Sequence, residues 1–256
     1  MPYGLPDARR TLATTYPARW TPASIDGLQA WYDALDSSTF TLNGSTVSQW
    51  RDKSVFARHL SQSTAANQPN YLSAGLNGRP AVQFVQSNLT RLDGTPFTLS
   101  QQTTFLAMAL PGGGNIFWTN ATSAAATQIV VGISSMAYKL FTVAFGSSHL
   151  ANVNPSIGSN SIISASPFVV SFTYNGAGGT EPANARLRRN MIDVRSEGSG
   201  FIGSPGSVFC RLGGGGGTNT ALFTNAIVSG LVVYNRILSA TEISLVEGWL
   251  KASYGI

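Results

Sequence analysis

The 256-residue chain is short of charge: Asp, Glu, Lys and Arg make up 11% of it, against about 25% in an average soluble domain. Disordered segments, coiled coils and charge-laced helical bundles all need more. Acids are the scarcer sign, 11 against 16 Lys and Arg, so the net charge of +5 comes from missing carboxylates and not from basic runs. The arginines are scattered except for Arg9-Arg10 and Arg186, Arg188 and Arg189. A nucleic-acid surface would gather them with aromatics interleaved, so no nucleic-acid partner is expected. The single cysteine, Cys210, excludes an intrachain disulfide and a cysteine-built zinc site. In Ser207-Val-Phe-Cys210-Arg-Leu it reads as a small buried hydrophobe. No apolar run approaches the roughly 18 residues of a membrane helix, so no membrane span is expected. Met1 to Arg10 has no apolar stretch of the secretory kind, so synthesis in the cytoplasm without a signal peptide is expected.

What the chain has is apolar residues and hydroxyls. Hydrophobic residues make up 43%, Ser and Thr together number 53, and Gly 27. That suits a turn-rich β protein with a sizeable core, and the length fits one domain. Residues 1–22 stand apart, with four prolines, three arginines and no period, which predicts an extended arm. From Ile25 onward the text becomes strands and turns. Gly27 to Asp33 alternates, with Leu28, Ala30 and Tyr32 predicted on one face and Trp31 on the other. Asn43-Gly44 predicts a hairpin into Thr46 to Arg51. Val82 and Phe84 share a face. Thr103 to Leu110, Phe168 to Tyr174 and Ile227 to Tyr234 are apolar on both faces, as central strands are. Gln128 to Ile133 and Tyr138 to Val143 form another predicted pair. Gly-rich turn clusters separate these runs at the short spacing of a sandwich or barrel. One helix is predicted, over about 239–252. Ser239-Ala-Thr-Glu242 is a capping box, Ile243, Val246 and Leu250, with Trp249 beside them, form an apolar stripe, and Gly255 can end it. Glu242 is assigned to the cap and Glu247 to the helix surface.

Several motifs, in chain order, carry a family resemblance. They are Trp20 to Asp36, Val47-Ser-Gln-Trp-Arg-Asp-Lys-Ser54, Gln68-Pro-Asn-Tyr71, Leu76 to Phe84, and the close, Ile227 to Tyr234 followed by Asn235-Arg-Ile-Leu-Ser-Ala-Thr-Glu242 and Val246 to Ile256. Together they resemble the concanavalin A-like, laminin-G-like jelly-roll domains of bacterial and phage proteins. The resemblance covers about residues 20–256 and is weakest between 111 and 225. It implies an all-β, two-sheet antiparallel jelly-roll sandwich over 23–256 with one C-terminal α-helix, preceded by the arm.

Catalytic patterns of such folds are missing from the sequence. Of the glutamates Glu181, Glu197, Glu242 and Glu247, none belongs to a strand with acids at i and i+2, as a jelly-roll glycosidase would need. His59 and His149 lack a lyase context, and Gly200 to Gly206 does not fit a serine-nucleophile elbow. No enzyme activity, metal or cofactor is expected. Asp33, Asp36 and Asp52 are read as turn residues whose carboxylates bond local amides. Gly213 to Gly217 lacks the Lys-Ser/Thr ending of a phosphate loop and is read as a close backbone approach. Trp118 and Phe201, near turn signals, are the candidate aromatic platforms for a sugar ring.

The resemblance implies a non-enzymatic particle-surface protein of a phage: a head fibre or spike, a decoration protein or a tail-fibre component. Its arm would attach it to other virion proteins through Tyr3, Leu5, Arg9, Arg10 and Trp20. The sandwich would face host cell-surface polysaccharide, and a homo-oligomer is expected. A bacterial lectin or adhesin module, or a glycan-active enzyme, is the alternative.

Overall fold

The computed structural model describes residues 20–97, 99, 101–111, 116–121, 128–133, 141–145, 148–153, 165–174, 185–193, 209–214 and 224–256, with the backbone alone over 116–153. In chain order the strands are β1 Leu28–Asp33, β2 Phe40–Asn43, β3 Thr46–Trp50, β4 Leu60–Ser61, β5 Asn70–Leu76, β6 Arg79–Phe84, β7 Leu92–Gly94, β8 Gln102–Ala109, β9 Ile116–Ala121, β10 Gln128–Ile133, β11 Phe141–Phe145, β12 Ser148–Val153, β13 Phe168–Tyr174, β14 Ala185–Arg189, β15 Ile192–Asp193, β16 Phe209–Leu212 and β17 Ala226–Tyr234. Among the described residues there is one α-helix, α1, Ala240–Tyr254.

Every pairing among the described residues is antiparallel. The first sheet runs β1, β17, β8, β13, β14, β15. The second runs β2, β3, β4, β7, β16, β9, β10, β11, β12. The β5–β6 hairpin joins them: β6 pairs with Ala226 to Val228 of β17, and Asn70 of β5 bridges to Thr46 of β3.

The first sheet is the middle layer. Leu106 and Met108 of β8, Phe168, Val170 and Phe172 of β13, and Leu231 and Val233 of β17 point into the core between the sheets, together with Trp50 and Leu212. Their neighbours in sequence, Phe105, Ala107, Val169, Val232 and Tyr234, point the other way and are covered by Ile243, Val246, Leu250 and Tyr254 of α1. Burial on both faces is why these strands read as continuous apolar runs. Each fully buried large side chain contributes about 1.5–3 kcal/mol. Gly230 lets the helix in: a Cβ there would lie 3.0 Å from the Tyr254 ring and 3.2 Å from Leu250.

The helix begins and ends as its sequence dictates. The Ser239 hydroxyl accepts from the Glu242 amide at 3.3 Å, and the Glu242 carboxylate accepts from the Ser239 amide at 2.8 Å. Gly255 stops it at φ +67. The Asn77 side chain then donates to the Gly255 carbonyl at 2.7 Å, pinning the helix end to the turn between β5 and β6.

Two readings are corrected. Glu247 is not on the helix surface. It lies fully buried on the stripe, between Ile243 and Leu250, where the Ser171 hydroxyl of β13 donates to it at 2.5 Å and Arg188 of β14 pairs with it at 3.0 Å. Leu28 does not share a face with Ala30 and Tyr32, because a bulge between Leu28 and Ala30 turns it to the helix side. Trp118 is the third residue of β9, in register with Leu212 of β16.

Candidate functional site

The solvent-facing surface of the second sheet follows from alternation. Val47, Trp50, Leu60, Leu92, Cys210 and Leu212 of β3, β4, β7 and β16 are buried inward. Burial pushes the Cys210 thiol far above its ordinary range, so it is inert packing. The residues between them face out, and the register aligns Gln49, Ser61, Asp93 and Arg211 in one row across four strands. Arg211 grips Asp93 through Nε at 2.5 Å and Nη2 at 3.2 Å. Arg91, two residues before Asp93 on the same face, reaches it at 3.2 Å. Arg51 continues the face beyond Gln49, its Nε 3.5 Å from Gln49 Oε1. The row offers amide, hydroxyl, carboxylate and guanidinium groups in fixed positions.

β4 leads from this row to the rim of the sheet, three residues back from Ser61 to Arg58. The Arg58 guanidinium lies between the Phe56 and Phe97 rings, 4.2 Å from each centroid. Val55 at the loop tip is 94% exposed and Phe56 is 48% exposed. The tip is held from below by Asp52. Its carboxylate accepts from the Trp31 amide at 2.8 Å, the Ser54 amide at 2.8 Å, the Ser54 hydroxyl at 2.5 Å and the Arg58 amide at 2.9 Å. The Lys53 amide donates to the Trp31 carbonyl at 2.8 Å, and Ser54 and Arg58 side chains donate to the Gln29 carbonyl. This loop thus occupies the edge of β1 that β17 leaves open, where an unpaired strand edge would invite aggregation.

The turn reading of the aspartates holds for all three. Asp33 accepts from the Tyr254 hydroxyl at 2.8 Å and the Leu35 amide at 3.1 Å, and Asp36 accepts from the Ser38 amide and hydroxyl. Lys53 bridges the two carboxylates at 3.1 and 2.9 Å and lies 4.4 Å from the Trp31 ring centroid. The Ser38 hydroxyl and Lys53 together hold the Asp36 carboxyl below its usual range. Among the described residues no group of three His, Cys, Asp or Glu side chains is placed to hold a metal ion, and no described helix is long and apolar enough to cross a membrane. Gly213 is a close approach, as read: at φ +100, a Cβ there would meet the Phe84 ring at 2.2 Å.

Most of the residues singled out from sequence are not described by the structure. Phe201, Tyr3, Leu5, Arg9 and Arg10 lie outside the described residues, as do Glu181 and Glu197, and Trp118 is described by its backbone alone. Trp20 is the described residue of the arm set, and it packs half-buried against the helix-side core of its own domain. The neighbouring Pro22 carbonyl accepts from the Tyr234 hydroxyl at 2.8 Å. Trp20 and Pro22 thus both pack on the sandwich. Sequence reasoning missed Gln49, Ser61, Asp93 and Arg211. The local signal was there, a polar residue between two apolar ones in Leu92-Asp-Gly94 and Cys210-Arg-Leu212, but their pairing was not.

No protein-family model and no curated protein matches the chain. Solved structures do match, at identities that show the fold alone. Domain 4 of a GH43 extracellular arabinanase from Geobacillus stearothermophilus, in complex with arabinotriose, aligns with TM-score 0.55 and 10% identity over 86% of this chain and 98% of that one. The binding domain of Paraclostridial Mosquitocidal Protein 1 aligns with TM-score 0.56 and 12% identity, over 89% and 52%. A GH54 α-L-arabinofuranosidase aligns with TM-score 0.54 and 12% identity, over 82% and 51%. The chain thus spans about half the length of the last two. The neighbours are β-sandwich, jelly-roll domains, as the family resemblance implied.

Proposed function

We propose that this chain is a non-catalytic glycan-recognition domain that binds through the outer face of its second sheet. The observation that carries the reading is the row Gln49, Ser61, Asp93 and Arg211, set by strand register. Sugar hydroxyls are both donors and acceptors, and a row mixing amide, hydroxyl, carboxylate and guanidinium groups on rigid strands answers both needs. Asp93 is engaged by two arginines, an arrangement that suits holding a ligand and not passing protons to it. A neighbour of this fold holding arabinotriose supports an oligosaccharide as the ligand class.

The test is calorimetric titration of the full chain with oligosaccharides chosen from a glycan array, alongside a reducing-sugar assay on the same panel. Binding without product release is expected, and Arg211→Ala together with Gln49→Ala should weaken it at least about tenfold. Release of reducing ends would overturn the non-catalytic reading, and unchanged affinity in the double variant would move the site elsewhere.

The setting we propose is the surface of a phage particle, with the chain attached by its arm and self-associated there. This part rests on the sequence resemblance. Particle purification tests it: a chain lacking residues 2–19 should stay folded but fail to incorporate, and normal incorporation would overturn the anchoring role of Tyr3, Leu5, Arg9 and Arg10.

A further inference from the structure

We infer a second saccharide site, at the rim of the sandwich: the loop between β3 and β4 offers the outer face of the Phe56 ring to one neutral sugar ring, with the open edge of Arg58 beside it. The inference rests on the reading of the chain as a glycan binder, though not on the row. Phe56 is 48% exposed, and the Arg58 guanidinium covers one face of its ring, 4.2 Å from the centroid. The face left to solvent is therefore the other one. The guanidinium is itself held. Phe97 backs it at 4.2 Å, and its Nη1 donates to the Gln29 carbonyl at 2.5 Å and to Gln29 Oε1 at 3.2 Å. The Arg58 amide donates to Asp52, and the Arg58 carbonyl accepts from the Tyr32 hydroxyl. Ala57 joins the two residues at φ +50, a left-handed conformation uncommon for a residue with a side chain. Phe56 thus stands on a fixed base, with little freedom to lose on binding.

The donors beside the ring are available. In a planar guanidinium Nε and one Nη share the edge away from the other Nη, here the anchored Nη1. Among the described residues nothing accepts from Arg58 Nε or Nη2, and no carboxylate pairs with the group. Asp52 takes the Arg58 amide, the Trp31 and Ser54 amides and the Ser54 hydroxyl instead. Charge favours a neutral ligand. Residues 33–58 hold three acids, Asp33, Asp36 and Asp52, and three bases, Arg51, Lys53 and Arg58, so the segment has no surplus to draw an anion. A sugar ring supplies what remains. Its C–H face meets the negative face of an aromatic ring, and its hydroxyl oxygens accept from N–H groups at the edge. A protein partner fits less well, since Val55 and Phe56 are two residues against about 20–30 on each side of a stable interface.

The experiment titrates the full chain calorimetrically with arabinotriose, xylotriose, cellotriose and chitotriose. At least one should bind, and saturating the aromatic protons of the protein should carry magnetisation to the C–H protons of the bound sugar. Phe56→Ala should weaken that binding about three- to tenfold and reduce the transfer, while Phe56→Tyr, which keeps the ring, should keep both. Arg58→Lys keeps the charge but loses the flat edge, and should also cost about three- to tenfold in affinity. Thermal melts establish that each variant is folded. Unchanged affinity in Phe56→Ala would overturn the inference; a loss in Arg211→Ala with Gln49→Ala would then leave the row standing without it. Loss in Phe56→Ala with the row variant unchanged would support this site and remove the row. No binding of the four trisaccharides would overturn the inference, and the glycan array decides the broader reading separately. Capture of the parent, but not of Phe56→Ala, by phosphatidylcholine vesicles would also overturn it, in favour of a membrane-facing tip.

Discussion

Two of the places where, among the described residues, arginine meets a carboxylate on a sheet differ in burial, and burial separates their roles. Arg188 and Glu247 face each other between the first sheet and α1, with side chains 9% and 1% exposed. Arg211 and Asp93 face each other on the outer side of the second sheet, at 12% and 36%, with Arg91 alongside. In the first cluster every charge has been taken out of water, and the groups answer to one another: Ser171 donates to Glu247, and Arg188 Nη2 donates to the Met191 carbonyl at 2.7 Å. Such a pair contributes little net stability over a well-packed apolar one, but losing either member strands the other. The second cluster keeps one side in solvent. It costs little to hold and leaves its charges within reach of a ligand. The same chemistry thus locks a helix in one place and offers a surface in the other.

The largest effect expected from this contrast is at Glu247. Replacing Glu247 with Ala leaves Arg188 buried without its counter-charge and should cost about 3–5 kcal/mol. Chemical denaturation followed by far-UV circular dichroism measures it. The double change Glu247→Leu with Arg188→Met should recover most of that loss, since both charges leave together. A single variant as stable as the parent would show that the helix does not depend on the pair.

Two glutamates on the one helix then separate by pH. Glu242 is held down to about 2 by Arg236 and by the Ser239 amide, from an ordinary 4.5. Its contribution is present above pH 4.5 and is lost as pH falls through about 2. Glu247 moves the other way: burial raises its carboxyl above the ordinary range, against the Ser171 hydroxyl and Arg188. The stability tied to its protonated form is complete below the unfolded pKa, and declines as pH rises through the raised one. Melting Glu242→Gln and Glu247→Gln beside the parent from acid to neutral pH should give differences that change in opposite directions. Parallel profiles would contradict the difference in burial.

How much of this could be read from the residues follows from the range of each interaction. Apolar runs on both faces of β8, β13 and β17 are local patterns, and they identified the middle layer. The capping box of Ser239 and Glu242 is complete within four residues, and it placed the start of α1. Glu247 was misread because its partner Arg188 belongs to a strand that the helix meets only after folding. The same distance hid the row on the second sheet: Arg211 and Asp93 are 118 residues apart in sequence. The turn role of Asp52 was legible in Trp50-Arg-Asp-Lys-Ser54. Its hold on the edge of β1 was not, because Trp31 lies 21 residues away.

A smaller effect is expected at the cap. Ser239→Ala removes the acceptor of the Glu242 amide and should cost about 1 kcal/mol, while Ser239→Asp, which keeps an acceptor, should cost less. Arg236 continues to hold Glu242 in either variant, through Nη1 at 3.1 Å and Nη2 at 2.5 Å, so the helix start should persist. A loss of several kcal/mol would mean that the cap supports the Glu247 pair as well.

The smallest stability change is expected where the functional change is largest. Arg211→Ala breaks the ion pair with Asp93, but Asp93 remains partly in solvent and keeps Arg91. A pair of this kind is worth about 1 kcal/mol or less, which for a chain of this length shifts the melting temperature by roughly 2–4 °C. Raised salt should shrink even that, because water and ions screen an exposed pair, while the loss in Glu247→Ala should hardly respond. The two variants measured in parallel across salt therefore report burial directly. A salt-insensitive loss of more than about 3 kcal/mol in Arg211→Ala would place this cluster with the buried one. The row on the second sheet would then be part of the scaffold, and the ligand-binding surface would have to be sought at the Phe56 and Arg58 rim.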